Sequence, residues 1–117
     1  MMVGFEGEEP PGELLAFVRE APPAGLVLFR RNLSSTAQIK TLMRDLRALW
    51  DHGSETPLMA VDQEGGRVAR LRPANCPGIT ETPPAGALAA AGDLPATRSA
   101  GAATGELLAG LGFNLDF

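Results

Sequence analysis

The sequence is poor in the residues that bind nucleic acids, metals or membranes. Its 117 residues include no tyrosine, one histidine and one cysteine, and aromatic residues make up 5% of the chain. The formal net charge is −4, and a phosphate-binding surface requires clustered cations with stacking rings. No apolar run reaches the roughly 18 residues that span a bilayer, and no His/Cys cluster indicates zinc. We therefore expect no nucleic acid, membrane, metal or cofactor as a partner.

Cysteine content and the N-terminus bear on location. The single cysteine, Cys76, cannot form an internal disulfide. The first residues, Met1 to Glu6, have neither the cationic start nor the long apolar stretch of a signal peptide. A reducing cytoplasm is the predicted location. A hydrophobic share of 44% is sufficient for one packed domain, and no obligate protein partner is indicated.

Apolar patterning predicts alternating strands and helices. Four short apolar runs predict strands, namely Met2–Phe5, Gly25–Phe29, Leu58–Asp62 and Phe113–Phe117. The segments between them predict helices over Gly12–Arg19, over Thr36–Trp50, and from after Asp93 to about Gly110. The middle helix has an apolar residue every three or four positions. Ser35 and Gln38 predict a capping box at its start, and Gly53 predicts its end. The remaining stretch, Arg70–Ala91, is rich in proline, glycine and alanine and is predicted to be a long loop.

Strict alternation of strands and helices predicts an α/β fold with parallel strands and right-handed crossovers. Two architectures fit, a small open doubly wound sheet and the N-terminal half of a (β/α)8 barrel. The chain ends at Phe117 in an apolar strand with no helix after it. We therefore expect residues 1–117 to be part of a barrel domain, truncated after the fourth strand.

The carboxyl end of the third predicted strand carries the most informative polar residues. In both architectures ligands bind at the carboxyl ends of parallel strands, and Asp62 ends this strand. The Gly65-Gly66 pair lets the backbone turn sharply, and Arg67 and Arg70 supply planar donors. A carboxylate that accepts hydroxyls beside a guanidinium that donates is suited to a polyol such as a sugar. The alternative is that Asp62 only caps the turn and pairs with Arg67.

Three segments resemble glycoside hydrolase family 3, most of all its bacterial β-N-acetylhexosaminidase branch, the enzymes of peptidoglycan recycling. They are GLVLFRRNL at 25–33, LMAVDQEGGRVARL at 58–71 and LGFNLDF at 111–117. VDQEGGRV is the specific signature among them. The resemblance covers nearly the whole chain and implies a (β/α)8 barrel that removes terminal non-reducing N-acetylglucosamine with retention. An N-acetylglucosamine-containing muropeptide is the implied partner.

Site residues follow from the resemblance one by one. It implies that Asp62 binds sugar hydroxyls and that Arg70 contacts the substrate. No role is carried over to Arg67, which is predicted to support the loop. The family places its aspartate nucleophile and its histidine acid/base downstream, in segments that these 117 residues do not contain. The only histidine, His52, is predicted to face solvent, so no catalytic residue is assigned and the chain alone is predicted to be inactive. Glu64 and Asp62 would face the same side of the sugar, which argues against an acid/base pair.

Two other interpretations stay open. The chain could be a stand-alone half-barrel that binds a small polar ligand or self-associates through exposed strand edges. A flavodoxin-like phosphate binder is less favoured, because the first loop lacks the glycine-rich pattern. Cys76 has no histidine near it in sequence and is interpreted as incidental rather than as a nucleophile.

Overall fold

The computed structural model describes residues 1–50 and 56–117. In chain order its elements are β1 Met2–Val3, α1 Gly12–Glu20, β2 Gly25–Leu28, a 3-10 turn Arg30–Asn32, α2 Thr36–Ala48, β3 Leu58–Val61, β4 Gln63–Gly65, β5 Val68–Ala69, α3 Ala85–Ala91, α4 Leu94–Leu111 and β6 Leu115–Asp116. Two predictions, the helix stop at Gly53 and the solvent-facing His52, lie outside the described residues.

The predicted parallel sheet is confirmed. Four strands pair in the order β1-β2-β3-β6, all of them parallel. The strands therefore follow one another across the sheet in the order of the chain. A doubly wound sheet instead reverses its strand order at a switch point, and the four described strands contain no such reversal.

One face of the sheet carries the hydrophobic core. Alternate residues of β2 and β3 are fully buried there, with α1, α2 and α4 packed over them. These strand residues are Leu26, Leu28, Met59 and Val61, and the helices contribute Leu14, Val18, Ile39, Leu42, Met43, Leu46, Leu108 and Leu111. Cys76 joins this cluster with 1% of its surface exposed. The three longest helices thus share one side of the sheet.

The opposite sheet face carries a row of aligned apolar residues. The register aligns Val27 with Ala60 and Ala60 with Leu115 across three strands. Ala60 is fully buried between its neighbours, but none of the three belongs to the core cluster. Leu58 on β3 is 38% exposed, and Phe117, just after β6, is 57% exposed. We call the surface formed by Val27, Leu58, Ala60 and Leu115 the second sheet face. It continues toward Asp62, the residue after β3.

Helix caps follow the predictions with one difference. Asp93 accepts a hydrogen bond from the backbone N–H of Ala96 and begins α4. Ser35 likewise accepts from the Gln38 N–H at the start of α2. The Gln38 side chain does not complete the reciprocal half of a capping box, because its Oε1 accepts from the Ser34 N–H instead.

A hairpin and a short helix were not predicted. The third predicted strand ends at Val61, and residues Gln63–Ala69 form an antiparallel hairpin of β4 and β5. The predicted loop Arg70–Ala91 contains the helix α3, which buries no residue. The first and fourth strands are also shorter than predicted. Within the described residues, no helix is both long enough and apolar enough to cross a membrane.

Candidate functional site

Asp62 and Arg70 meet at the carboxyl end of β3. Arg70 Nη2 donates to Asp62 Oδ2 at 2.5 Å. The Arg70 and Asp62 side chains are 29% and 22% exposed, so both reach solvent without being fully hydrated. The sequence placed these two groups at one sheet edge, and the structure brings them into direct contact. The alternative pairing of Asp62 with Arg67 is wrong.

The hairpin between β4 and β5 returns the chain to Asp62. Its turn uses Gly65 and Gly66, whose φ angles of +85° and +57° favour glycine. A Cβ on Gly65 would lie 2.6 Å from the Pro83 carbonyl oxygen and 2.7 Å from that of Thr82. Glycine is therefore required here by both backbone conformation and space. The turn brings Arg70 back beside Asp62, eight residues earlier in the chain.

A buried amide network holds the backbone of Arg70. Gln63 is 4% exposed, and its Oε1 accepts from the backbone N–H groups of Arg70 and Leu71, each at 2.9 Å. Its Nε2 donates to the Leu71 carbonyl at 3.0 Å. Asn75, also 4% exposed, donates from Nδ2 to the Arg70 carbonyl at 3.0 Å. Both peptide groups of Arg70 are thereby fixed by side-chain amides.

Arg72 supports the hairpin turn, a role that had been predicted for Arg67. Arg72 Nη2 donates to the carbonyls of Gly66 at 2.7 Å and Arg67 at 3.3 Å, and Nη1 pairs with Glu81 at 3.1 Å. Arg67 is exposed, and within residues 1–50 and 56–117 its side chain makes no hydrogen bond or ion pair. Glu64 is exposed on β4 and makes no ion pair with a described residue.

Polar groups after β2 and on β6 connect neighbouring segments of the chain. Asn32 is fully buried and donates to the carbonyls of Phe5 and Gly7. Arg31 pairs with Glu6, and its Cζ lies 4.7 Å from the centre of the Phe29 ring. On β6, Asp116 Oδ1 accepts from the Gln63 N–H at 2.8 Å. The sequence pointed to this edge but did not identify these partners.

Arg70 retains donor capacity that its neighbours do not use. Its Nε is buried and has no hydrogen-bond partner among the described residues. The Arg70 side chain as a whole is 29% exposed, so a ligand oxygen would meet its solvent-facing part rather than the buried Nε. Asp62 offers carboxylate acceptors beside it. The pair can therefore accept from hydroxyls and donate to oxygens in one place.

Comparison with known proteins identifies the family of the chain. The family described as "Glycosyl hydrolase family 3 N terminal domain" matches residues 8–117. The chain is 36% identical to beta-hexosaminidase A of Pseudoalteromonas piscicida and 31% identical to a beta-hexosaminidase of Pasteurella multocida. These alignments cover 96% and 100% of this chain, but 21% and 33% of the relatives.

Solved structures give the same result. A glycoside hydrolase family 3 β-N-acetylglucosaminidase from Paenibacillus superposes with a TM-score of 0.88 at 36% identity, covering 99% of this chain and 22% of that chain. NagZ from Neisseria gonorrhoeae in complex with N-trifluoroacetyl-D-glucosamine gives 0.80 at 27% identity, covering 100% and 34%. The chain belongs to glycoside hydrolase family 3. It spans about a fifth to a third of the length of these relatives.

Proposed function

We propose that this chain supplies part of the sugar-binding site of a retaining β-N-acetylhexosaminidase that hydrolyses terminal non-reducing N-acetylglucosamine. The observation that carries the proposal is the partly exposed Asp62–Arg70 pair at the carboxyl end of β3. The names of the similar proteins, several of them beta-hexosaminidases, support the substrate class. Muropeptides of peptidoglycan recycling and a cytoplasmic location stay predictions.

In this proposal Asp62 and Arg70 bind and orient the sugar rather than break its bond. The carboxylate accepts from sugar hydroxyls, and the guanidinium, held by that same carboxylate, donates to a sugar oxygen. Retaining hydrolysis also needs a nucleophile and an acid/base on opposite sides of the scissile bond. By resemblance to the family, those groups belong to segments that these 117 residues do not contain. We therefore propose that the chain alone binds but does not cleave.

The fold part of the proposal is that this sheet belongs to a (β/α)8 barrel. Two observations support it: the parallel strands follow chain order, and α1, α2 and α4 share one sheet face. In such a barrel the helices form an outer ring, and the inner faces of the strands fill the interior. The second sheet face would then line the interior and lead to Asp62 at the carboxyl end, where barrel enzymes have their active sites.

Titration of the isotope-labelled chain with N-acetylglucosamine, followed by NMR, tests the binding. Hydrogen bonds to charged groups contribute about 1.5–3 kcal/mol each, and the entropy lost on association offsets much of this gain, so we expect weak binding that is detected as shifts at high sugar concentration. We expect Asp62→Asn to weaken binding at least tenfold, since removing charge from one such bond loses about 1.4 kcal/mol or more. Asp45→Asn, at an exposed ion pair on α2, should leave binding unchanged.

Two outcomes would contradict the proposal. One is a wild-type chain that shows no sugar-dependent shifts near Asp62 and Arg70, or an Asp62→Asn variant that binds as wild type does. The other is release of nitrophenol from an aryl N-acetyl-β-D-glucosaminide by the purified chain, abolished by Asp62→Ala. The first outcome would remove the sugar site, and the second would show that the chain cleaves by itself.

A second candidate is a self-associating half-barrel. Exposed Leu58 and Phe117, on or beside the second sheet face, favour it, because apolar strand residues are stabilised when another surface covers them. Sedimentation of the purified chain distinguishes the two candidates. A discrete dimer that does not respond to N-acetylglucosamine would favour self-association over the hydrolase proposal.

A further inference from the structure

We propose that Gln63 is a positioning residue of the sugar site. Its buried carboxamide orders the Arg70 backbone and so sets the guanidinium against Asp62. Asp116 in turn holds the backbone N–H of Gln63. This inference rests on the proposed function for its purpose, but its geometry can be tested without a sugar. The connection runs through contacts at the end of β3 and through the hairpin.

The Gln63 side chain takes the place of regular strand pairing beyond the hairpin. The β4–β5 ladder is irregular between Gln63 and Gly65 and ends at Ala69. The next two residues, Arg70 and Leu71, are therefore held by the Gln63 side chain through the three hydrogen bonds described above. Because all three involve a residue that is 4% exposed, they are shielded from competing water.

The position of Gln63 in the chain couples it to both members of the site. It directly follows Asp62, so the segment that carries the carboxylate also carries the amide that anchors Arg70. Asp116 on β6 accepts from the Gln63 N–H at 2.8 Å, which ties this segment to the neighbouring strand. A displacement of Gln63 would therefore move Asp62 and release Arg70 together.

The Arg70 side chain has few hydrogen bonds of its own. Asp62 is its only side-chain hydrogen-bond partner among the described residues, and its Nε is without one. With one hydrogen bond to orient it, the guanidinium depends on the backbone position from which the side chain starts. Gln63 at the Arg70 N–H and Asn75 at its carbonyl provide that restraint.

The test uses the Arg70 Nε–H resonance of the full 117-residue chain. Gln63→Met keeps the length of the side chain but removes its three hydrogen bonds. Asn114→Ala is the matched control, because the Asn114 amide bonds to Met59 N–H and Pro57 carbonyl at the opposite end of β3. Both variants should lower the melting temperature. Only Gln63→Met should move the Arg70 resonance toward that of a free arginine and speed its exchange with water.

N-acetylglucosamine titration is the second measurement. If Arg70 occupies its binding geometry about a tenth of the time in Gln63→Met, the apparent affinity falls about tenfold, while Asn114→Ala keeps the wild-type affinity. An unchanged Arg70 resonance in folded Gln63→Met would overturn the positioning role. If the wild-type chain binds no sugar, the proposed function fails, and the Arg70 resonance still decides the positioning role.

A second pair of variants covers the case in which Gln63→Met does not fold. Asp116 is exposed, so its substitution should leave the core intact. Asp116→Ala removes the acceptor for the Gln63 N–H and should shift the Arg70 resonance in the same direction, whereas Asp116→Asn keeps an acceptor oxygen and should restore it. Identical Arg70 resonances in both variants and the wild type would overturn the proposal.

Discussion

A double-mutant cycle on Asp62 and Arg70 measures whether the pair stabilises the edge of the sheet. Two unit charges about 4 Å apart attract by about 4 kcal/mol at an effective dielectric constant near 20. Desolvation opposes this attraction, and fully exposed pairs contribute only about 0.2–1 kcal/mol. Because these side chains are 22% and 29% exposed, we expect an intermediate coupling energy of about 1–2 kcal/mol.

Urea unfolding of the wild type, the two single alanine variants and the double variant gives the coupling energy. Fluorescence of the single tryptophan, Trp50, and far-UV circular dichroism should report the same transition. The matched control is the cycle on Arg44 and Asp45, which are 73% and 49% exposed and should couple by less than about 0.5 kcal/mol. A coupling for Asp62–Arg70 no larger than that control would refute the reasoning from burial.

Two further predictions concern the turn and the core. Gly65→Ala should destabilise the chain by about 2 kcal/mol or more and weaken sugar binding, because the new Cβ would meet the Pro83 carbonyl oxygen at 2.6 Å. The control is Gly78→Ala, since Gly78 has a similar φ but open space around it. This variant should lose only about 1 kcal/mol of stability. Equal losses in thermal unfolding would contradict the steric argument. Leu46 lies in the fully buried part of α2, so Leu46→Ala should lose about 2–5 kcal/mol of stability. Leu94 is 80% exposed, and Leu94→Ala should change stability by less than about 0.5 kcal/mol. Similar losses for both variants would contradict the core assignment.

Strands and helices whose apolar residues recur regularly and are buried could be predicted from the sequence. The uninterrupted apolar runs of β2 and β3 become central parallel strands whose residues are almost all buried. The three- and four-residue spacing in α2 becomes its buried side, and Asp93 begins α4 as its side-chain chemistry predicts. In these cases local composition and tertiary burial favour the same structure.

The missed elements lack such a pattern. No residue of α3 is buried, so its seven residues carry no apolar stripe, and only the helix propensity of alanine favours it. The β4–β5 hairpin has strands of three and two residues, which is too short for alternation to be recognised. The Gly65-Gly66 pair was an available signal, because two glycines between short strands are typical of a hairpin turn.

The two candidate binding residues were predicted, but the residues that hold them were not. Choosing Arg70 over Arg67 as the partner of Asp62 requires the hairpin geometry, which places a residue eight positions away in contact. Gln63 had a recognisable signal. Continuing the alternation of Met59 and Val61 places it on the covered face, and a buried amide must find hydrogen-bond partners. Which partners it finds depends on the return of the chain at Leu71, which no local pattern specifies.

Because Cys76 is buried, the reactivity of its thiol reports local opening of the core. The chain has one thiol, and 1% of that residue is accessible in the folded state. A thiol-specific reagent therefore reacts only with molecules whose core has opened around the segment after Arg72. The labelling rate of this thiol therefore measures how often the core opens there, without interference from a second cysteine.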